Sequence, residues 1–364
     1  MSKTIGLMRK FLGSAAMILA VGSFLGCGQG EAEQPWAEGV VVGPPVTVFG
    51  EDKTFAQSHA STLIRLDDGQ FLVAAFGGTA EKDDDVGIWM TRGDGQSWST
   101  PIEVAKVRED PHWNPVLFED PAGTIHLYFK VGKTIPKWET WVMTSGDGGH
   151  TWTEARELVE GDQGGRGPVR NKPIVLSNGD LLAGASHEEG QWDAFADWSQ
   201  DGGQTWNRTA YLVLDREELT GKGVIQPTLW ESASGTVHML LRSTAGAIYR
   251  SDSDDFGRNW SPAYRTDLPN PNSAIDLVQL EDGTLALLYN PDGENWGSRA
   301  TLTLAFSFDN GQTWPEQVVV GQSELEDGEL SYPAIIQWGD QLALTYTWER
   351  KDIVFQQVTI PKRK

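Results

Sequence analysis

Side chains able to hold an anion or move a proton recur at a few kinds of position in this chain. His59, His112, Arg170, Lys172, Gln226 and Tyr332 stand at or near the starts of segments that read as β-strands. Lys130, Lys133, His187, Glu188, Glu189, Arg242 and Arg299 fall in or beside connections between such segments. The chain carries 29 Lys+Arg against 51 Asp+Glu, a net charge of −22. Cations gathered in so acidic a protein point to an anionic ligand, and the two-pronged guanidinium fits a carboxylate. Imidazole and phenol groups add proton transfer near neutral pH. The same charge balance opposes phosphate backbones and anionic lipid, so no nucleic-acid partner is expected. The single cysteine excludes an intrachain disulfide and a Cys-based zinc site. No phosphate-binding glycine loop, Gly-x-Ser-x-Gly elbow or His-Glu-x-x-His pair is present, and neither metal nor cofactor is expected.

These side chains need a scaffold, and the sequence repeats. Thr91-Arg-Gly-Asp-Gly-Gln-Ser-Trp98, Ser145-Gly-Asp-Gly-Gly-His-Thr-Trp152 and Ser199-Gln-Asp-Gly-Gly-Gln-Thr-Trp206 share one pattern with Ser253-Asp-Asp-Phe-Gly-Arg-Asn-Trp260 and Ser307-Phe-Asp-Asn-Gly-Gln-Thr-Trp314. The tryptophans are each 54 residues apart, a period that belongs to solenoids and propellers. Asp147, Asp201, Asp255 and Asp309 are placed to accept turn N–H groups, and each tryptophan offers an apolar plate to a neighbouring unit. In the first copy Gly93 replaces the aspartate, with Asp94 one place late. Each unit reads as four short strands; in the fourth they are 224–230, 236–242, 247–251 and 263–266. Strands 332–337, 341–348 and 353–360 follow the last repeat, and one spare strand, 40–49, precedes the first. Three strands plus one make a blade shared by the two ends, which closes the ring and removes exposed edges. The expected fold is all-β, a six-bladed β-propeller of four-stranded antiparallel blades. Its repeated turns mark one face. First-strand starts and second-to-third connections share the other, where the residues named above converge.

The S-x-D-x-G-x-T-W turn in four-stranded units resembles the Asp box of the sialidase (neuraminidase) superfamily, over roughly residues 50–360. The resemblance implies three arginines holding a substrate carboxylate, a tyrosine nucleophile, a glutamate assisting it and an aspartate acid/base. Arg242 matches the second arginine, Arg299 the third, and Tyr332 the tyrosine. Elsewhere the chain departs from that pattern. His59-Ala-Ser-Thr occupies the place of the Arg-Ile-Pro stretch that carries the first arginine, and Arg65 lies toward the wrong end of its strand. Gln226, 16 residues before Arg242, stands where the glutamate belongs. The aspartate position falls near Gly77-Gly78, with Asp83, Asp84 and Asp85 in the following loop. An amide cannot be the base that ionises tyrosine, which sets this chain apart from an orthodox retaining sialidase.

The groups that remain suit β-elimination at a uronic acid, which needs a neutralised carboxylate, a base and an acid. They are similar to the sets in propeller-type polysaccharide lyases, including a sialidase-like group that removes rhamnose from glucuronate. On this basis His112 and Tyr332 are the catalytic pair, and Arg170, Arg242 and Arg299 clamp the carboxylate. His59, Gln226 and Lys172 contact the sugar, while Trp138 and Trp192 stack on it. Glu188-Glu189 is a further acid/base candidate with nothing to fix its orientation. An exo-sialidase-type hydrolase and a non-catalytic glycan-binding lipoprotein are the alternatives. The expected partner is an acidic glycan, bound by a monomer.

The first residues read as an address. Lys3, Arg9 and Lys10 precede an apolar run, 11–24, and Cys27 follows Phe24-Leu25-Gly26 in a pattern similar to a bacterial lipobox. The expected organisation is a lipoprotein signal peptide over 1–26, a tether over 27–36 after lipidated Cys27, and the propeller over 37–364. The expected location is the bacterial cell envelope, with the lipid as sole membrane contact; plain secretion is the alternative.

Overall fold

The computed structural model describes residues 36–325 and 327–362. The expectations for the signal peptide, Cys27 and nearly all of the tether lie outside these residues.

Six antiparallel sheets follow one another around a ring. Blade one holds Gln57–Arg65, Phe71–Gly78, Gly87–Gly93 and Ile102–Ala105. Blade two holds His112–Glu119, Ile125–Val131, Glu139–Ser145 and Arg156–Glu157. Blade three holds Ile174–Val175, Leu181–His187, Asp193–Ser199 and Asn207–Arg208. Blade four holds Val224–Ala233, Thr236–Ser243, Ala247–Ser253 and Tyr264–Pro269, and blade five Asp276–Gln279, Leu285–Tyr289, Thr301–Ser307 and Glu316–Gln322. Blade six takes Leu330–Trp338, Gln341–Trp348 and Asp352–Thr359 from the end of the chain, and Val41–Val42 and Val46–Thr47 from its beginning. Val41 pairs with Thr359 and Val46 with Phe355, so the expected shared blade closes the ring.

The core is divided. Each of six apolar clusters lies between two neighbouring blades; one joins Val116, Tyr128 and Val142 of blade two to Leu181, Ala183 and Trp206 of blade three. The repeated tryptophans pack into these seams, as their apolar area demands. Losing such a ring costs about 3–5 kcal/mol. The repeated turns are tied by their own aspartates. Asp147 Oδ1 accepts N–H groups from His150 at 3.1 Å and Thr151 at 2.9 Å, and its Oδ2 accepts the Thr151 hydroxyl at 2.6 Å. The same bonds recur at Asp201 and Asp309, and at Asp255 the Asn259 amide takes the place of the hydroxyl, so these carboxylates are structural.

The strand nearest the axis is bulged in four blades. Pairing slips between His59 and Thr62, Trp113 and Val116, Ile225 and Thr228, and Ser331 and Ala334. Each bulge holds a non-glycine residue at positive φ: Ala60 at 58°, Asn114 at 40°, Gln226 at 55° and Tyr332 at 52°. Asn272, before the first strand of blade five, has φ 57°. Bulges re-aim side chains, and non-glycine residues held at positive φ mark places where the surroundings over-determine the backbone.

Candidate functional site

Three of these strained residues meet at one guanidinium. Arg242, at the end of the second strand of blade four, donates through Nη1 to Tyr332 Oη at 2.8 Å and to Gln226 Oε1 at 3.1 Å. Its Nε donates to Asn272 Oδ1 at 2.7 Å. The Arg242 guanidinium lies 5.7 Å from the Tyr332 ring centre and also 5.7 Å from that of Trp192. Arg299, from the second-to-third connection of blade five, donates to Glu329 Oε1 at 3.1 Å and to Asn272 O at 2.9 Å.

A further arginine completes the group. Arg350 sits in the second-to-third connection of blade six at φ 56°. Its Nε donates to Glu329 Oε2 at 2.7 Å, and its Nη1 to Glu81. Burial pushes Glu329 up, but the bond and charge of Arg350, with help from Ser331 and Arg299, hold it below the usual carboxylate range. Burial also works against the Arg350 charge, and the bond and charge of Glu329 more than offset it. Glu329 therefore stays ionised and joins Arg299 to Arg350. Beside Arg299 lies Trp296, 66% exposed and with its ring centre 5.7 Å from the guanidinium. Trp296, Arg299, Glu329 and Arg350 line a recess of about 490 Å³ on this face.

The structure gathers Arg242, Arg299, Tyr332, Gln226 and Trp192, and gives other members of the expected set different work. Arg170 is buried beneath Tyr332. Its Nη2 donates to the carbonyls of Tyr332 at 2.6 Å and Pro333 at 2.8 Å, so it braces the bulge and is not a free clamp. Burial lowers its pKa to about 10, which leaves it charged at neutral pH. Lys172 donates to Asp276 at 2.8 Å. Asp276 also accepts the Thr228 hydroxyl at 3.1 Å and the Ile335 N–H at 3.0 Å, so Lys172 belongs to an axial latch across four blades. His59 is 2% exposed, with its ring centre 4.0 Å from that of Tyr332. Its Nδ1 bonds Thr347 Oγ1 at 2.8 Å. Burial, then the charges of Arg350, Arg299, Arg170 and Arg242, hold His59 well below the usual imidazole range. It is a neutral plate under the tyrosine and not a surface sugar contact.

His112 is placed away from this group and both its nitrogens are occupied. Nε2 accepts the Val107 N–H at 2.9 Å, which makes Nδ1 the donor to Asp110 O at 2.8 Å. Burial pushes its pKa to about 4 against the opposing pull of that carbonyl. A fixed neutral tautomer without a free nitrogen is no acid or base. Trp138 is 3% exposed in the seam between blades one and two, edge-on to Trp113, and has no face for a sugar. The acidic loop also turns elsewhere: Asp85 binds Thr79 and Asp84 binds Lys133, while Glu81 is the carboxylate that meets Arg350.

The sequence reasoning passed over Arg350, Glu329 and Trp296. Arg350 and Trp296 obey the rule that singled out Arg299, since both lie on second-to-third connections. The motif Trp348-Glu349-Arg350-Lys351-Asp352 was the available signal. No residue pattern announces Glu329, whose importance comes only from the two arginines the fold brings to it.

Residues 69–344 match the family model described as a BNR repeat-like domain. Over 213 residues the chain is 27% identical to a sialidase of Micromonospora viridifaciens, which covers 53% of this chain and 31% of that protein. The chain thus spans about a third of the length of this relative. Similar solved structures include a Dyadobacter fermentans protein described as of unknown function, with TM-score 0.73 and 16% identity, covering 89% of this chain and all of that one. A Hadza microbial sialidase has TM-score 0.71 and 18% identity, covering 86% of this chain and 68% of its own. The K499G mutant of the NanB sialidase of Streptococcus pneumoniae has TM-score 0.66 and 14% identity over 87% of this chain and 70% of its own. At these identities the structural likenesses speak for the fold.

Proposed function

The chain belongs to the BNR repeat-like family and is a propeller of the sialidase superfamily, and from that premise we propose that it is a glycan-processing enzyme acting on a terminal acidic sugar. One observation carries this: in an otherwise acidic protein Arg242 donates to the Tyr332 phenol, and Arg299 and Arg350, joined through Glu329, lie near enough for their charges to act on it. The guanidiniums suit a sugar carboxylate, for which charge-assisted two-pronged bonds give both strength and orientation. The Tyr332 oxygen accepts from Arg242, so negative charge developing there in the transition state meets a donor already in place. Trp296 offers a stacking face to the next sugar along the chain. The favoured reaction is glycosidic cleavage with Tyr332 as nucleophile.

A second chemistry, β-elimination at a uronic acid, rests on Gln226. With Arg242 as the partner of the phenol and of the Gln226 amide, and no carboxylate at position 226, Tyr332 itself would take the proton next to the carboxylate. The loss of His112 from the site removes the base first expected for that route. The test is a panel of fluorogenic sialosides and uronic-acid glycans, followed by fluorescence and by the ultraviolet absorbance of an unsaturated uronate. Fluorescence without that absorbance supports cleavage, and the absorbance supports elimination. Silence in both, with measurable binding, makes the propeller a glycan-binding module. The basic and apolar start and Cys27 support a lipid-anchored place in the bacterial envelope, testable by metabolic labelling with a fatty acid.

A further inference from the structure

A second set of side chains able to move a proton gathers at the far end of the strand that carries Gln226. Its centre is His238, 4% exposed on the second strand of blade four and stacked on Trp230 with ring centres 4.8 Å apart. Nδ1 stands 2.5 Å from Asp252 Oδ1, and Nε2 stands 2.7 Å from Ser232 Oγ. Burial pushes Asp252 up, but bonds from His238, Arg250 and Tyr264 and the charge of Arg250 hold its pKa at about 2. A carboxylate ionised at that distance requires the proton on Nδ1, so Arg250 Nη2, 3.0 Å from the same nitrogen, cannot donate to it. In the neutral ring Nε2 then keeps its lone pair and accepts the Ser232 hydroxyl. Ser232 itself is exposed, and pairing slips between Glu231 and Ala233, so a bulge aims the hydroxyl at the ring.

Asn310, from the repeated turn of blade five, adds a donor. Trp230 Nε1 donates to Asn310 Oδ1 at 2.7 Å, and Arg250 Nη1 donates to the Asn310 carbonyl at 2.8 Å. These bonds fix the amide with Nδ2 toward His238, 3.1 Å from Nε2. One lone pair cannot serve two donors. With Ser232 donating to Nε2, the Asn310 N–H is available to a new oxygen beside the serine.

We propose that Ser232, His238 and Asp252 form a second catalytic site, separate from Tyr332, which hydrolyses short neutral acyl esters with Asn310 as oxyanion donor. Such sites are recognised by geometry and roles, not by chain order or a local motif. Ser232 Oγ bonds to the ester carbonyl carbon while its proton passes to His238 Nε2, and the carbonyl electron pair moves onto the oxygen that meets Asn310. Asp252 holds the tautomer and steadies the imidazolium. The bond from the acyl carbon to the alcohol oxygen then breaks, and that oxygen takes the proton from Nε2. Water repeats the addition: its oxygen bonds to the acyl carbon, one proton goes to Nε2, the bond to Ser232 breaks, and Ser232 recovers that proton. The products are a carboxylic acid and an alcohol. Ala233 and Ser234 beside the nucleophile are small and exposed, which admits an ester carried on a large molecule. Glu231 and Asp252 oppose an anionic acyl group.

The test treats the folded protein with a fluorescent fluorophosphonate and follows hydrolysis of p-nitrophenyl acetate. Wild type is expected to carry the label on the Ser232 peptide, read by mass spectrometry, and to release many equivalents of p-nitrophenol. Ser232→Ala, at an exposed position and checked by thermal melting, is expected to lose the label and to lower turnover about 100-fold or more. Asn310→Asp is expected to lower kcat about 100-fold with KM nearly unchanged. A folded wild type that takes no label, or that stops at one equivalent of p-nitrophenol, overturns the proposal. Label or turnover that survives in Ser232→Ala overturns it equally, and an unchanged kcat in Asn310→Asp overturns the oxyanion role.

Discussion

Replacing Arg170 by methionine separates two roles open to an arginine at this place. A clamp would act on substrate affinity, whereas the brace described above acts on Tyr332. Arg170 is 1% exposed and spends Nη2 on two carbonyls, at 2.6 and 2.8 Å. Hydrogen bonds to charged groups contribute about 1.5–3 kcal/mol each. Methionine removes both and leaves the carbonyls without a donor, while relieving the cost of burying a guanidinium. The net loss is about 3–5 kcal/mol. With an unfolding entropy of about 2.1 cal/mol/K per residue over about 330 residues, the melting temperature drops about 4–7 °C. Tyr332 would also be free to leave its positive φ, a conformation costing about 1–2 kcal/mol, and to move away from Arg242. On a glycan that wild type processes, kcat should fall about 10–100-fold with KM within about threefold. Circular-dichroism melting and steady-state kinetics on one preparation measure both effects. A variant that melts with wild type and loses only affinity would refute the brace and return Arg170 to the substrate.

Other expectations are simpler. Arg350→Ala should raise KM for an acidic sugar about 10–100-fold, through loss of one charge-assisted bond, and leave any neutral analogue unaffected. Trp296→Ala should raise KM about 2–10-fold for extended oligosaccharides, the value of one stacking face, and leave a monosaccharide aryl glycoside unchanged. His112 makes stability depend on pH. Its folded pKa of about 4 lies below the 6.5 of an unfolded chain, so its contribution is complete above pH 6.5 and is lost as the pH falls toward 4. That amounts to about 3 kcal/mol, and urea titrations of His112→Gln should show a correspondingly flatter acid slope.

The ring was legible because repetition is local. Tryptophans at a fixed interval, each followed by a strand and each needing an apolar seam, leave few ways to arrange the units. Tyr332, Arg242 and Arg299 were legible because strand order places them on one face. The misassigned residues failed on orientation. His112 opens its strand as expected, but the Val107 N–H and the Asp110 carbonyl seize its ring. Nothing in the sequence signals two backbone groups arriving from a preceding loop. Arg170 and Lys172 stand just before the first strand of blade three, as the sequence order implies, yet side-chain depth decides whether a cation meets ligand or backbone. Depth is set by bulges that pairing reveals and periodicity does not. Arg350 escaped because its blade lacks the repeated turn that drew attention to the others.

Blade six is assembled from both ends of the chain, and Glu329, Tyr332 and Arg350 all belong to it. The two ends must find each other across some 300 residues, at an entropic cost of about 5 kcal/mol. Until they do, the phenol and two of its charged neighbours have no fixed place. Such a long-range pairing comes late in folding. Activity should therefore return last during refolding, behind the recovery of tryptophan fluorescence from the other blades. Trimming the strand at Val46–Thr47 should silence the protein without touching a single residue that meets substrate. The proposed chemistry would thus report on the closure of the ring by its two ends.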